Sequence, residues 1–277
     1  MKKILFPTDF SPASHNAFIY ALQFAKHLNA EVVTLHVYEI PIIDYVDVPA
    51  YQMEIYETVE LSTFEKYQSH IPTLRRIADD NGCSDVQISN VLMDGDLVNT
   101  ILQLVKEQGI EYVVMGTKGA SGAVETFVGT STANVMTRTN AFVLAVPEDM
   151  KYEPIRNIVF ATRFAESDFT ALQKLLKLAS AFHAGIDVLH VENANVKVKD
   201  VVIADWKLVL ANENITFHTT ENESVEEGIL WFLESHEANI IALLNREHGF
   251  FESLFRTSLT KKLAFHSKVP VLAIHED

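Results

Sequence analysis

Lys3-Ile4-Leu5-Phe6-Pro7-Thr8-Asp9-Phe10 returns 154 residues later as Asn157-Ile158-Val159-Phe160-Ala161-Thr162-Arg163-Phe164. Leu35-His36-Val37 returns at the same offset as Leu189-His190-Val191. Near the ends of the two halves, Ala141-Phe142-Val143-Leu144-Ala145-Val146 matches Val269-Pro270-Val271-Leu272-Ala273-Ile274 at an offset near 128. The first half therefore carries extra residues in its middle. A period this long marks a duplicated domain and not a short solenoid repeat. The chain divides into domains at 1–148 and 155–277, joined by a linker at 149–154. That linker lies in a polar stretch bounded by Pro147 and Pro154.

Each copy alternates strand and helix. In the first, Lys3–Pro7 is a short apolar strand, and Ser11-Pro12 opens a helix with a hydroxyl N-cap and a proline in the first turn. Ala17, Tyr20, Ala21, Phe24 and Ala25 recur at helical spacing. Strands are predicted at 31–37, 86–91, 111–115 and 142–146. Helices are predicted at 51–82, at 96–108 with Gly109 closing the end, and from Thr130. The second copy runs in the same order, with strands at 157–161, 186–192, 214–219, 239–244 and 270–275 and helices at 166–182, 198–212, 224–237 and 252–267. Strands separated by helices pair in parallel through right-handed crossovers. The fold class is α/β: two tandem doubly wound five-stranded parallel sheets, Rossmann-like. In such sheets ligands sit beyond the carboxyl ends of the strands, where strand order reverses.

Composition excludes several classes. The 277 residues are 48% hydrophobic and 21% charged, a globular profile. The net charge of −15 has the wrong sign for a duplex nucleic-acid binder or an anionic membrane surface. The lone cysteine, Cys83, leaves no disulfide, no CxxC pair and no cysteine-based zinc cage. The apolar run after Lys2-Lys3 is too short for a signal peptide, and no window approaches a membrane span. A soluble, cytoplasmic protein is expected by this exclusion.

The chemistry concentrates in Met115-Gly116-Thr117-Lys118-Gly119-Ala120-Ser121-Gly122 and, after Ala123–Val128, Gly129-Thr130-Ser131-Thr132. Four of the chain's 10 glycines fall in these 18 residues. Glycines at a strand end let backbone amides approach a ligand closely. A helix beginning at Thr130-Ser131-Thr132 presents free N–H groups and hydroxyls to a phosphate, and Lys118 adds a point charge. Neither the Walker spacing nor the Gly-x-Gly-x-x-Gly fingerprint is present.

Gly116-x2-Gly119-x9-Gly129-Thr130 resembles the nucleotide loop of the universal stress protein family, Gly-x2-Gly-x9-Gly-Ser/Thr. The strand ending in Pro7-Thr8-Asp9-Phe10-Ser11 and the one ending in Leu35-His36-Val37 are similar to that family too. The resemblance spans the chain as two tandem copies. It implies ATP or ADP in the first domain, with Mg²⁺ sharing the neutralisation. Asp9 would contact the adenosine part, and Thr8, Val37 and Met115, with the adjacent Pro7, would line the adenine pocket. Gly116, Lys118, Gly119, Gly129, Thr130, Ser131 and Thr132 would hold ribose and phosphates. Family members pair through their last strands, so 142–146 is expected beside 270–274 as an intramolecular pseudo-dimer, with homodimerisation a further option. The implied role is a nucleotide-dependent stress-response or signalling module with unknown protein partners. Two alternatives stand beside it: a slow ATPase, and a nucleotide-independent interaction scaffold. No catalytic residue and no metal ligand is assigned.

The second copy departs from this pattern. Asp9 becomes Arg163 and Pro7 becomes Ala161. The loop aligns with Gly116 on Asn245 and Gly129 on Arg256, about two residues shorter. Such a half should not take ATP in the usual way; it is a partner domain or a site for another anion using Arg163, His248 and Arg256. His36 and His190 read as satisfied, structurally placed histidines, and Cys83 as an inert thiol. Ile40–Tyr56 reads as an irregular connection into a locally packed helix, with a lid over the nucleotide site as the alternative.

Overall fold

The computed structural model describes residues 1–39, 49–117, 130–193, 197–245 and 269–275. The first half runs β1 (Lys2–Pro7), α1 (Pro12–Leu28), β2 (Ala30–Tyr38), α2 (Pro49–Asp80), β3 (Ile88–Asp94), α3 (Leu97–Gln108), β4 (Tyr112–Gly116), α4 (Thr130–Arg138) and β5 (Phe142–Val146). The second runs β6 (Asn157–Ala161), α5 (Glu166–Phe182), β7 (Gly185–Glu192), α6 (Asp200–Val209), β8 (Ile215–Glu221), α7 (Val225–Ser235), β9 (Ile240–Asn245) and β10 (Val271–His275). The helix expected over 252–267 lies outside the described residues.

Local chemistry sets the element ends. The Ser11 hydroxyl accepts from the Ser14 amide to cap α1, and the Asp96 carboxylate does the same for α3 from Asn99. Gly109 closes α3 in the left-handed region at φ 61°, where a side chain would be strained. The extra length of the first half lies in α2 and the segment before it. α2 has 32 residues where its counterpart α6 has 10.

All strands join one ten-stranded sheet in the order β3-β2-β1-β4-β5-β10-β9-β6-β7-β8. Within each half the pairing is parallel. The halves meet where β10 runs antiparallel to β5, pairing Val271 with Ala145, Leu272 with Leu144 and Ala273 with Val143. This is the last-strand pairing anticipated above, and it fuses the two expected sheets into one. The register is symmetric about the Leu144–Leu272 pair, so a pseudo-two-fold axis passes through it. Both leucines are buried.

Helices cover both faces. One apolar core holds α1, the C-terminal part of α2, α5 and α6 against Ile4, Phe6, Ile158 and Phe160. The other holds α3, α4 and α7 against Leu5, Val113, Val159 and Ile241. Adjacent strand residues thus go to opposite cores, as the pleat requires. The first core crosses between the halves, where Phe24 of α1 meets Phe182 of α5 at 4.9 Å between ring centres.

The linker is held down by α1. The Asn16 side-chain amide donates to the carbonyls of Met150 (2.6 Å), Pro147 (3.1 Å) and Glu148 (3.4 Å). The Tyr20 hydroxyl donates to the Lys151 carbonyl, and its ring meets Tyr152 edge-on. Asn16→Ala should cost about 1 kcal/mol and free this strap. The expected readout is faster tryptic cleavage after Lys151 in the folded protein; an unchanged cleavage rate would show that the clamp holds nothing.

Candidate functional site

The first half has strand order 3-2-1-4-5, so the chain leaves β1 toward β2 on one side and leaves β4 toward β5 on the other. The gap between the ends of β1 and β4 is the topological switch point. Pro7 ends one strand, with Thr8 and Asp9 just beyond it, and Met115 and Gly116 end the other. Val37, near the end of the adjacent β2, packs against the same apolar cluster that contains Met115.

The turn from β1 into α1 is locked by its own polar groups. The Thr8 amide donates to the Leu35 carbonyl (2.8 Å). The Thr8 hydroxyl shares a 2.6 Å hydrogen bond with Ser14 and accepts from the Phe10 amide (3.0 Å). The Asp9 carboxylate accepts from the Ser11 amide (3.0 Å) while the residue stays exposed at the mouth. Phe10 sits at φ 61°, an uncommon conformation for a bulky residue. Its ring is held by His70 (4.2 Å, 5° between planes), His36 (5.1 Å) and Tyr67 (5.6 Å). These contacts offset a backbone penalty on the order of 1–2 kcal/mol.

His36 has the structural part expected of it. Its Nδ1 lies 2.8 Å from the Thr8 carbonyl, which can only accept, so the proton is on Nδ1. His190 repeats the contact to the Thr162 carbonyl at 2.9 Å. Its Nε2, however, is buried with no hydrogen-bond partner among the described residues, so His190 is satisfied on one side only. Cys83 is buried, and burial pushes its thiol pKa up, which makes it a poor nucleophile.

At the β4 side, the Thr117 amide donates to the Val146 carbonyl (3.0 Å). The Thr132 hydroxyl donates to the Gly116 carbonyl (2.9 Å), so it fastens the start of α4 to the end of β4. Ser131 is half-buried beside it. Lys118, Gly119, Gly129 and the side chain of Thr130 lie outside the described residues, as does most of Ile40–Tyr56. Beyond that segment α2 has no buried residue from Tyr56 through Lys66, and its first buried side chain is Tyr67. No group of three or more His, Cys, Asp or Glu that could hold a metal ion occurs among the described residues.

The second copy shows how the same turn looks without Asp9. Asp168 stands where Ser14 stands in the first copy. It is 1% exposed, and its Oδ2 accepts from the Thr162 hydroxyl (3.0 Å) and from the amides of Arg163 (2.9 Å) and Ala165 (3.1 Å). The carboxylate has moved from the mouth to the inside of the turn. Phe164 keeps the left-handed backbone of Phe10, at φ 58°.

Strand register corrects the expected loop alignment. β1 pairs Leu5 with Val113, and β6 pairs Val159 with Ile241. β4 pairs Tyr112 with Phe142, and β9 pairs Ile241 with Val271. The offset is 128 before and after the loop, so Leu244 and not Asn245 takes the place of Gly116, and the two connections are equally long. An ungapped alignment then sets Thr257, rather than Arg256, against Gly129. Arg246, His248, Arg256 and Thr257 lie outside the described residues. Leu244, with Thr162, Arg163, Leu189, Val191 and Ile229, leaves a cavity of about 30 Å³. That is about a tenth of the roughly 300 Å³ at which small-molecule pockets begin.

Asn245 instead faces the other half. Its side-chain amide donates to the Met136 carbonyl of α4 (3.0 Å) and lies 3.3 Å from Nδ1 of His275. The Met136 carbonyl fixes which end of the amide is the NH₂, and Nε2 of His275 is buried with no hydrogen-bond partner among the described residues. Burial pushes His275 down to about 4, against the opposing effect of the Met136 backbone. An unfolded histidine takes its proton near pH 6.5. The neutral folded form thus stabilises the protein fully above pH 6.5, and that contribution is lost as pH falls toward 4. Its upper limit is about 3 kcal/mol. Denaturant melts at pH 7.5 and 4.5 should show a smaller pH dependence for His275→Gln than for wild type. Equal dependence in both would remove His275 from the account.

Fold and site together define a tandem, doubly wound α/β protein whose first copy brings Asp9 and Gly116 to its topological switch point. A family model for the universal stress protein family matches residues 1–147 and again 154–275, and the chain belongs to that family. Universal stress protein MJ0531 of Methanocaldococcus jannaschii is 27% identical over 150 residues, covering 54% of this chain and 84% of that protein. Universal stress protein MJ0577 of the same organism is 24% identical over 155 residues, covering 52% and 94%. A universal stress protein from Archaeoglobus fulgidus superposes over 99% of this chain and 96% of its own, with a TM-score of 0.72 at 19% identity, which shows the shared fold.

Four residues have roles that the sequence alone did not signal. Phe10 and Phe164 occupy a left-handed position that their residue type disguises. Asp168 was visible only as the replacement of Ser14 at the repeat offset of 154. Asn245 acts across a distance of 109 residues, which no local pattern signals.

Proposed function

We propose that this universal stress protein is a nucleotide-dependent stress-response or signalling module that binds ATP or ADP, with Mg²⁺, in residues 1–148. The observation that carries the reading is that β1 and β4 run parallel as neighbours, so Asp9, just past the end of β1, and Gly116, at the end of β4, lie on the same side of the switch point, with α4 fastened to Gly116 by Thr132. The Asp9 carboxylate would accept from sugar hydroxyls or the base amino group. Pro7, Thr8, Val37 and Met115 would form the wall behind the base. Gly116, Lys118, Gly119, Gly129 and Thr130 would lie along the ribose and phosphates, with the first amides of α4 and Ser131 facing the phosphate oxygens. The Mg²⁺ would share in neutralising the phosphate charge. Residues 155–277 would serve as the partner domain, since Leu244, Arg163 and Asp168 fill or alter the corresponding crevice. The module would act in the cytoplasm, and protein partners or a homodimer would receive its signal.

The test is calorimetry of Mg-ATP and Mg-ADP on the full chain. Saturable heat with one site per chain is expected. No heat with either would return the protein to the scaffold reading, and steady phosphate release would move it to the slow ATPase.

A further inference from the structure

We propose that Asn245, in the second half, is a positioning residue for the phosphate-facing helix of the first half. This rests on the nucleotide reading above and assigns part of that site to the other copy. α4 has nine residues and is therefore about 13 Å long. A helix this short has few internal hydrogen bonds, and its last carbonyls need outside partners. Side-chain hydrogen bonds fasten both its ends, and in the last turn Arg138 also donates to Asn99 of α3 (3.1 Å). Thr132 ties the first turn to Gly116, within the first half. Asn245 reaches from the end of β9 to the Met136 carbonyl in the last turn.

The Asn245 contact is a built one. The residue is 8% exposed, and its amide nitrogen lies 3.0 Å from the Met136 carbonyl and 3.3 Å from Nδ1 of His275. Val135 and Met136 are fully buried in the core beneath. At the matching place in the first half stands Thr117, whose shorter side chain lacks an amide. The second half has thus lost Gly116's counterpart while placing an amide next to it, aimed at the helix of its neighbour. A stiff helix held at both ends presents its first-turn amides in one place, and loosening one end lets that turn shift. The effect falls on groups that meet phosphate and spares those that meet adenosine.

The experiment compares ATP and adenosine binding to the full-length wild type and to Asn245→Ala by calorimetry. The expected result is a three- to tenfold loss of ATP affinity with adenosine affinity unchanged. An unchanged ATP affinity, or an equal loss for both ligands, overturns the proposal. If wild type binds adenosine and ATP, the nucleotide reading stands whatever the variant does; if it binds neither, that reading fails and this inference falls with it. Hydrogen exchange on wild type decides the matter should the variant not fold. ATP should slow exchange in 130–138 and also in 240–245, in the other half. Protection confined to the first half overturns the proposal.

Discussion

Asp9→Ala is expected to weaken ATP binding by ten- to a hundredfold. Asp9 is the exposed carboxylate at the switch point, and a hydrogen bond to a charged group contributes about 1.5–3 kcal/mol, or roughly one to two decades of affinity. The same carboxylate also orders the turn by accepting from the Ser11 amide. Asp9→Asn separates the two effects, because the amide oxygen still accepts from Ser11 while the charge is gone. If the charge matters, both variants bind weakly in calorimetry. If only the turn matters, Asp9→Asn binds like wild type. Full affinity in Asp9→Ala would remove Asp9 from the site altogether.

Leu272→Ala is expected to destabilise the protein by about 2–5 kcal/mol. Leu272 is fully buried and faces Leu144 at the centre of the β5–β10 pairing. One sheet and one shared core tie the halves, so wild type should unfold in a single denaturant transition, and the variant should shift all of it. Probes in each half would report this: Trp206 and Trp231 fluorescence for the second, and a label at Cys83, accessible only on unfolding, for the first. A variant in which only the Trp signal shifts would mean that the halves unfold independently.

The sequence exposed the strands, the caps and the duplication because these depend on short-range rules. Ser11, Asp96 and Gly109 act within four residues of where they stand. The β5–β10 contact was anticipated from the resemblance, although the merging of the sheets is a matter of hydrogen bonding that only register displays. The loop of the second copy was misread because it has one glycine left as a landmark, Gly249. Matching glycines to residues of similar turn preference put Asn245 on Gly116, one place out. Backbone pairing on both sides of the loop removes that freedom. Phe10 was opaque for another reason: its left-handed backbone depends on His36, Tyr67 and His70, which come from two other elements.

The symmetric register about Leu144 and Leu272 carries an evolutionary consequence. Two separate, identical chains meeting through such a contact form an isologous pair. Any substitution in such a pair appears twice, so a change that spoils one crevice spoils both. Joining the copies through Pro147–Pro154 removes that constraint. One crevice can keep its aspartate and glycine while the other accumulates Arg163, Asp168 and Leu244, and the neighbouring Asn245 can take up work for the opposite copy. The duplication thus permits a division of labour that identical subunits cannot reach.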